Sequence, residues 1–296
     1  MLRKLFLFTL VGLIGGCVTA IKNPNDVRRS FVQIAKSVEI KVCGENDFSK
    51  SNECKTLMTL NSTGSGAVVW NEYLIGKTPR TLILTADHVC FDEMPKLSDF
   101  DIQAHIHIKE NMGFKKEVEL VSTPKMIAIS SHGKGYKIKP KPWARNVVAD
   151  TCILETSMNA PSLQIGTKPN YGEEVINIAA PSGIYYPNSS GGGVFYTDGF
   201  YNGDFIMEVP DKRMFSMYNI QAAPGSSGSP ILNKNGEVVG MIHSVDSRYC
   251  SPLTGHCNSP ISYSATFEQV KETLAAALAA IKRGDGITFD YRKVYQ

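Results

Sequence analysis

From Phe31 onward, apolar and polar residues alternate far more often than they recur at helical spacing. "DIQAHIHI" (101–108) is the clearest case, with Ile102, Ala104, Ile106 and Ile108 on one face. "SVEIKVC" alternates too, and "GSGAVVW" and "RTLILTADHV" are short β-type runs on either side of a turn at "NEYLIGKTP". The runs "KEVELV", "KMIAIS", "DTCILE", "EEVINIAAP", "GGVFYTDGF", "DFIMEV", "MFSMYNI", "SPILN" and "EVVGMIHSV" continue the pattern. Many short strands punctuated by Gly, Pro, Asn and Asp predict an all-β sandwich or barrel. One helix is predicted near the end, in "TFEQVKETLAAALAAIKRG". Thr266 with Gln269 fits a capping box. Phe267, Val270, Leu274, Ala277, Leu278 and Ile281 form an apolar stripe, and Lys282, Arg283 and Gly284 suit the stop. The helix is expected to pack on the β body.

The beginning of the chain follows a different pattern. "MLRK" is a positive segment, and "LFLFTLVGLIGGC" is an apolar run ending in small residues, the layout of a secretory signal over residues 1–16. The run is too short for a comfortable membrane span. "IGGC" resembles the lipobox of bacterial lipoproteins, which implies that Cys17 is lipidated and becomes the mature N-terminus. Val18 is not the aspartate that favours inner-membrane retention in that family, so the resemblance points to the outer membrane. Residues 17–30 then read as a lipidated tether, and the protein as exported and held at the bacterial cell envelope.

Export changes how the cysteines read. Of seven, Cys17 is set aside, leaving Cys43, Cys54, Cys90, Cys152, Cys250 and Cys257. An even number in an oxidising compartment suggests disulfides, and short loops suggest Cys43–Cys54 and Cys250–Cys257. No CxxC pair speaks for zinc, and no metal or cofactor is expected. The 296 residues, 43% hydrophobic and 20% charged, allow one large domain or two medium ones. A net charge of +3 is too small to argue for nucleic acid. The basic run from Lys134 to Arg145 reads as a solvated loop, with anionic lipid as its other use.

Candidate chemistry centres on "AAPGSSGSPIL" (222–232). A serine hydroxyl becomes a nucleophile only with a base in hydrogen-bond reach and an acid to orient that base. His88, in "LILTADHVC", stands where a buried-looking strand ends. Asp150, in "NVVADTCILE", stands where another begins. His105, His107, His132 and His256 sit on polar faces or in loops. The order His88, Asp150, Ser227 excludes the α/β-hydrolase order and the subtilisin order, and on an all-β chain it fits the chymotrypsin-type plan.

"TADHV", "ADTCIL" and "PGSSGSPI" resemble the three signature blocks of trypsin-like serine proteases, and "GSGAVV", "YGEEVINIAAPSGI" and "NGEVVGMIHS" resemble segments of their bacterial and viral branches. The resemblance implies two six-stranded antiparallel β-barrels, over 31–158 and 159–296, with the C-terminal α-helix on the second. It implies His88 as general base, Asp150 as its orienting acid and Ser227 as nucleophile, with the N–H groups of Gly225 and Ser227 as oxyanion hole. In this plan His88 and Asp150 meet, so Cys90 and Cys152 are either bridged or two buried thiols. The implied activity is a serine endopeptidase acting on polypeptide. Ser226 replaces the aspartate of the animal digestive enzymes, so their N-terminal ion-pair activation is not expected. Gln221, Ile242, His243 and Ser244 are the candidates for substrate contact. Gln221 is not acidic, which disfavours a strict Arg/Lys preference. His243 is one residue off the place where glutamyl-type enzymes carry their histidine, so it faces the triad unless a bulge intervenes. Two rival readings stand beside the protease: an inactive homologue that binds peptides, and a surface or exclusion lipoprotein. No PDZ-like domain is expected after the helix.

Overall fold

The computed structural model describes residues 27–45, 52–72, 78–90, 119–181, 194–207, 213–251, 259–284 and 287–289. The signal segment, Cys17, the strand expected at 101–108 and Cys257 lie outside these residues.

The all-β expectation holds. β1 (Phe31–Glu45) and β2 (Asn52–Glu72) form one long antiparallel hairpin, in register from Phe31 against Ala67 to Glu45 against Asn52. Cys43 faces Cys54 in that ladder and is bridged to it. β3 (Arg80–Ala86) and a short helix (Asp87–Cys90) follow, then β4 (Glu119–Ser130), β5 (Gly135–Lys137), β6 (Ala144–Asn146) and β7 (Thr151–Thr156). The sheet runs β6-β7-β3-β2-β1-β4-β5, and an isolated bridge between Ile138 and Thr156 draws β5 back to β7. Six strands thus curl into a ring around Phe31, Ile34, Leu82, Leu84, Ile153 and Leu154, all buried. β3 and β7 are buried almost throughout, which is why their sequences read as continuous apolar runs.

The second unit is a closed six-stranded barrel of β8 (Glu174–Ala179), β9 (Phe195–Met207), β10 (Arg213–Tyr218), β11 (Pro230–Leu232), β12 (Val238–Val245) and β13 (Ser262–Ser264). A second core cluster fills it, including Val175, Tyr218, Ile220, Ile231 and Ile242. The runs "GGVFYTDGF" and "DFIMEV" form one strand rather than two, β9. Gly203, at φ +98°, sits at the irregularity where β9 slips register against β10, so the break that the sequence suggests is a bulge.

The C-terminal helix spans Phe267–Arg283. Its capping box forms as expected: Thr266 accepts from the Gln269 N–H, and the Gln269 side chain accepts from the Thr266 N–H. Gly284 ends it at φ +80°. The buried face is centred on Val270, Thr273, Ala277 and Ala280, turned slightly from the predicted stripe. Thr273 is tolerated there because its hydroxyl meets Thr151 Oγ1 at 2.8 Å. The helix therefore packs mainly on β6 and β7 of the first unit, and β14 (Ile287–Phe289) adds to β6 in parallel. Residues 267–289 thus return, apart from the two at 285 and 286 outside the described residues, to the first sheet. Val27 and Ser30, just before β1, are buried.

Candidate active site

Strand pairing creates the site. β3 and β7 are antiparallel with Ala86 opposite Thr151, so the residues just after β3 and just before β7 share one end of the sheet. That places His88 beside Asp150. Asp150 Oδ2 lies 2.7 Å from His88 Nδ1, and Asp150 Oδ1 accepts from the His88 backbone N–H at 2.9 Å. The Asp150 carbonyl accepts from the Asp87 N–H at 3.0 Å. One aspartate therefore fixes both the backbone and the ring of the histidine. To do so it adopts φ +51°, the one positive φ of a non-glycine among the described residues. Such backbone costs roughly 1–2 kcal/mol and persists where the surroundings over-determine it. Cys90 and Cys152 are bridged, which settles the choice between a disulfide and two thiols. Their disulfide ties the His88 turn to β7. Cys250 is disulfide-bonded as well.

The neighbouring acid is also committed. Asp87 is buried and takes Arg145 in a two-pronged pair at 2.6 and 2.8 Å. Hydrogen bonding to Asp87 raises the Arg145 pKa above its ordinary value. The basic run is thus divided. Arg145 turns inward, Lys139 pairs with Glu155 at 2.7 Å, and Lys134 lies over the ring of Tyr136.

Ser227 sits in a loop locked to β2 and β3. Its carbonyl accepts from the Ser65 N–H at 2.8 Å, and Ser65 Oγ donates to the Gly225 carbonyl at 2.8 Å. Ser65 Oγ also accepts from the Ala180 N–H, and the Ser65 carbonyl accepts from Thr85 Oγ1 at 2.7 Å. Gly225 and Gly228 take φ +93° and +87°. The N–H groups of Ser226, Gly228 and Ser229 donate to Ala223, Ile242 and Ser226. Among the described residues none accepts from the N–H of Gly225 or of Ser227. Two donors on alternate residues are left for a ligand oxygen, in a loop bent by glycines at positive φ. Ser229 is buried and accepts from Asn177 at 2.8 Å, a structural role.

A cleft of about 650 Å³ opens beside His88 and Asp150, with Val147, Arg213, Phe215, His243, Ser244 and Tyr263 among its walls. His243 is buried against the Phe215 ring, 4.8 Å between centroids, with Nδ1 at 3.9 Å from Asp150 Oδ2. Burial pushes its pKa down to about 4. β12 does slip against β13 between Ile242 and Ser244, yet His243 still faces Asp150. Ile242 points into the second core, and Gln221 is exposed.

The family model of the trypsin-like peptidase domain matches residues 64–241, more than half of the chain. The chain belongs to the trypsin-like peptidase family. Among solved structures, this trypsin-like chain is similar to the HtrA-type protease AlgW solved with a decapeptide, with TM-score 0.53 and 16% identity over 89% of this chain and 68% of that one. It is similar also to a variant of AlgW solved with a tripeptide, with TM-score 0.53 and 13% identity over 88% of this chain and 62% of that one. The chain thus spans somewhat under two thirds of the tripeptide-bound structure's own length, and at such identities the likeness concerns the fold. A search of curated protein sequences returns no match.

Around the trypsin-like site, the structure brings together His88, Asp150 and His243, and it pins the Gly225–Ser229 loop to Ser65 of β2, which Thr85 of β3 holds in turn. Ser65, Thr85, Asp87 and Arg145 complete the scaffold without having been singled out from sequence. Ser65 had a signal in its two flanking glycines. At Gly64 a Cβ would lie 2.7 Å from Val89, and at Gly66 it would lie 2.7 Å from Ile83, so backbone must pass closely there.

Proposed function

We propose that this trypsin-like protein is a serine endopeptidase, anchored by lipid on the outer side of a bacterial membrane, that cleaves polypeptide through His88, Asp150 and Ser227. The observations that support the reading are the double grip of Asp150 on His88 and a serine loop in which, among the described residues, the N–H groups of Gly225 and Ser227 are uncommitted. The peptide ligands of the HtrA-type neighbours support a polypeptide substrate.

The chemistry follows from these groups. In the proposed reaction His88, held at Nδ1 by Asp150, uses Nε2 as the base for Ser227. The Ser227 hydroxyl attacks the peptide carbonyl carbon while its proton passes to Nε2. The carbonyl electron pair moves to oxygen, and that oxyanion accepts from the N–H groups of Gly225 and Ser227. Each such donor lowers the barrier by ~3 kcal/mol. Asp150 stays ionised and stabilises the imidazolium. Collapse breaks the C–N bond, and the leaving amine takes the proton from Nε2, leaving an ester on Ser227. Water then attacks the ester with its proton going to His88. Collapse releases the carboxylic acid and returns the proton to Ser227 Oγ.

Lipidation of Cys17, after removal of residues 1–16, would hold the domain at the envelope, and substitution of Cys17 by serine should release it from membranes. The activity is tested by digestion of an unfolded protein such as reduced casein. The parent should cut it, and Ser227→Ala and His88→Ala should not. Peptide binding without cleavage by the parent would instead support the inactive homologue.

A further inference from the structure

We infer that His243 is a positioning residue for Asp150, its uncharged ring donating from Nδ1 toward the carboxylate oxygen that holds His88. The inference rests on the proposed endopeptidase reading of the site. It starts from the position of the ring. His243 is buried in the strand that lines the cleft, its ring tilted against that of Phe215, and its Nδ1 stands 3.9 Å from Asp150 Oδ2. That is the same oxygen that binds His88 Nδ1 at 2.7 Å. A carboxylate oxygen has two lone pairs, so Oδ2 has one direction for His88 and one left toward His243.

The tautomer follows from the other nitrogen. His243 Nε2 is buried without a hydrogen-bond partner. A proton there would be a buried N–H with no acceptor, whereas an unpaired lone pair costs less. The single proton of the neutral ring therefore belongs on Nδ1, where a carboxylate faces it. At 3.9 Å the contact is a dipole directed at a charge rather than a full hydrogen bond. It still opposes rotation of the Asp150 carboxylate away from His88. The backbone of Asp150 is already in a left-handed conformation, so a second constraint on its side chain is physically useful.

Burial is the main reason that the ring stays neutral, against the pull of Asp150. His88 and Arg213 both oppose a positive charge on it, and Asp150 favours one. Tyr263 and the Asp87–Arg145 pair complete the titratable and charged groups of the cleft. A charged His243 would compete with His88 for Oδ2, and burial prevents that over the neutral range. Although β12 bulges at this residue, Ile242 enters the barrel core and its neighbour His243 faces Asp150.

The test compares His243→Asn, whose amide N–H can stand where Nδ1 stands, with His243→Leu, which fills the space without a donor. The probe is the rate of phosphonylation by a fluorophosphonate, measured from pH 5 to pH 9 against the parent and Ser227→Ala. His243→Leu should label ~10-fold more slowly. Its acidic limb should move up by about half a pH unit, because an uncompensated Asp150 holds the His88 proton more tightly. His243→Asn should restore the position of the limb. The low-field NMR signal of the His88 Nδ1 proton, followed in Ser227→Ala, gives the same comparison without labelling. Equal limbs and equal NMR titrations in the leucine and asparagine variants would overturn the role of His243. Failure of the parent to label would instead overturn the endopeptidase reading.

Discussion

Gly228→Ala is the substitution whose consequence can be worked out most fully. Gly228 follows the proposed nucleophile at φ +87°, and a Cβ built there would lie 2.0 Å from the Ser65 carbonyl and 2.1 Å from Thr85 Oγ1. An L-residue at such φ costs roughly 1–2 kcal/mol. Forcing a methyl group into a filled space costs roughly 1–3 kcal/mol more. The nearest atom is backbone, so the Thr85→Ser65 hydrogen bond is displaced as well, worth about 1 kcal/mol. The sum is about 4 kcal/mol, and for a chain of this size that lowers Tm by ~10 °C. The movement needed also disturbs the Ser65–Ser227 link, so fluorophosphonate labelling should fall at least ~100-fold. Gly172→Ala provides the control, since Gly172 has φ +78° with nothing within 4 Å of the added carbon. It should lose only the backbone term, ~1–2 kcal/mol, and label normally. Thermal unfolding of both variants, followed by circular dichroism, decides the matter. Equal melting temperatures and equal labelling would refute the close packing of the serine loop on β2 and β3.

Other consequences can be checked alongside. The Cys90–Cys152 bridge closes a sequence separation of 62 residues against 11 for Cys43–Cys54, so chain entropy assigns about 4 kcal/mol to the first and about 3 kcal/mol to the second; the paired serine variants should rank that way in denaturant titration. Arg145→Met leaves the buried Asp87 carboxylate unpaired and should cost ~3 kcal/mol, while Asp87→Asn in the same chain should recover most of it. His243 is neutral when folded, with its pKa pushed down to about 4, and binds a proton more readily when unfolded. The unfolded chain thus takes up more protons between about pH 6.5 and pH 4. Stability should fall by about 3 kcal/mol as pH drops through that window, and urea titrations of His243→Asn should lack this component.

Much of this site could be read before its geometry was seen. His88 and Asp150 stand at strand ends, and antiparallel pairing of two apolar strands brings such ends together. The Gly-Ser-Ser-Gly loop was legible because only glycine suits its positive φ values. Cys43 and Cys54 were legible because a short hairpin offers them little choice. What stayed hidden depends on contacts between residues far apart in sequence. Ser65 holds Gly225 across 160 residues, and its flanking glycines signal close packing without naming that partner. Asp87 and Arg145 look like surface charges until β6 places one against the other. Helical periodicity located the C-terminal helix but not the sheet that it covers, since its buried face includes Thr273, whose hydroxyl meets both the Gln269 carbonyl and Thr151. The irregularity in β12 stayed hidden too, although His243 faces Asp150 as alternation alone had suggested.

The central claim is that Ser227 is a nucleophile activated by His88 and Asp150. It is tested most directly by treating the parent, Ser227→Ala and Asp150→Asn with a fluorophosphonate and locating the adduct by mass spectrometry of the digested protein. The account predicts one adduct on Ser227 in the parent, none in Ser227→Ala, and labelling slowed by ~10⁴-fold in Asp150→Asn. An adduct on another residue, or a parent that takes none, would contradict it.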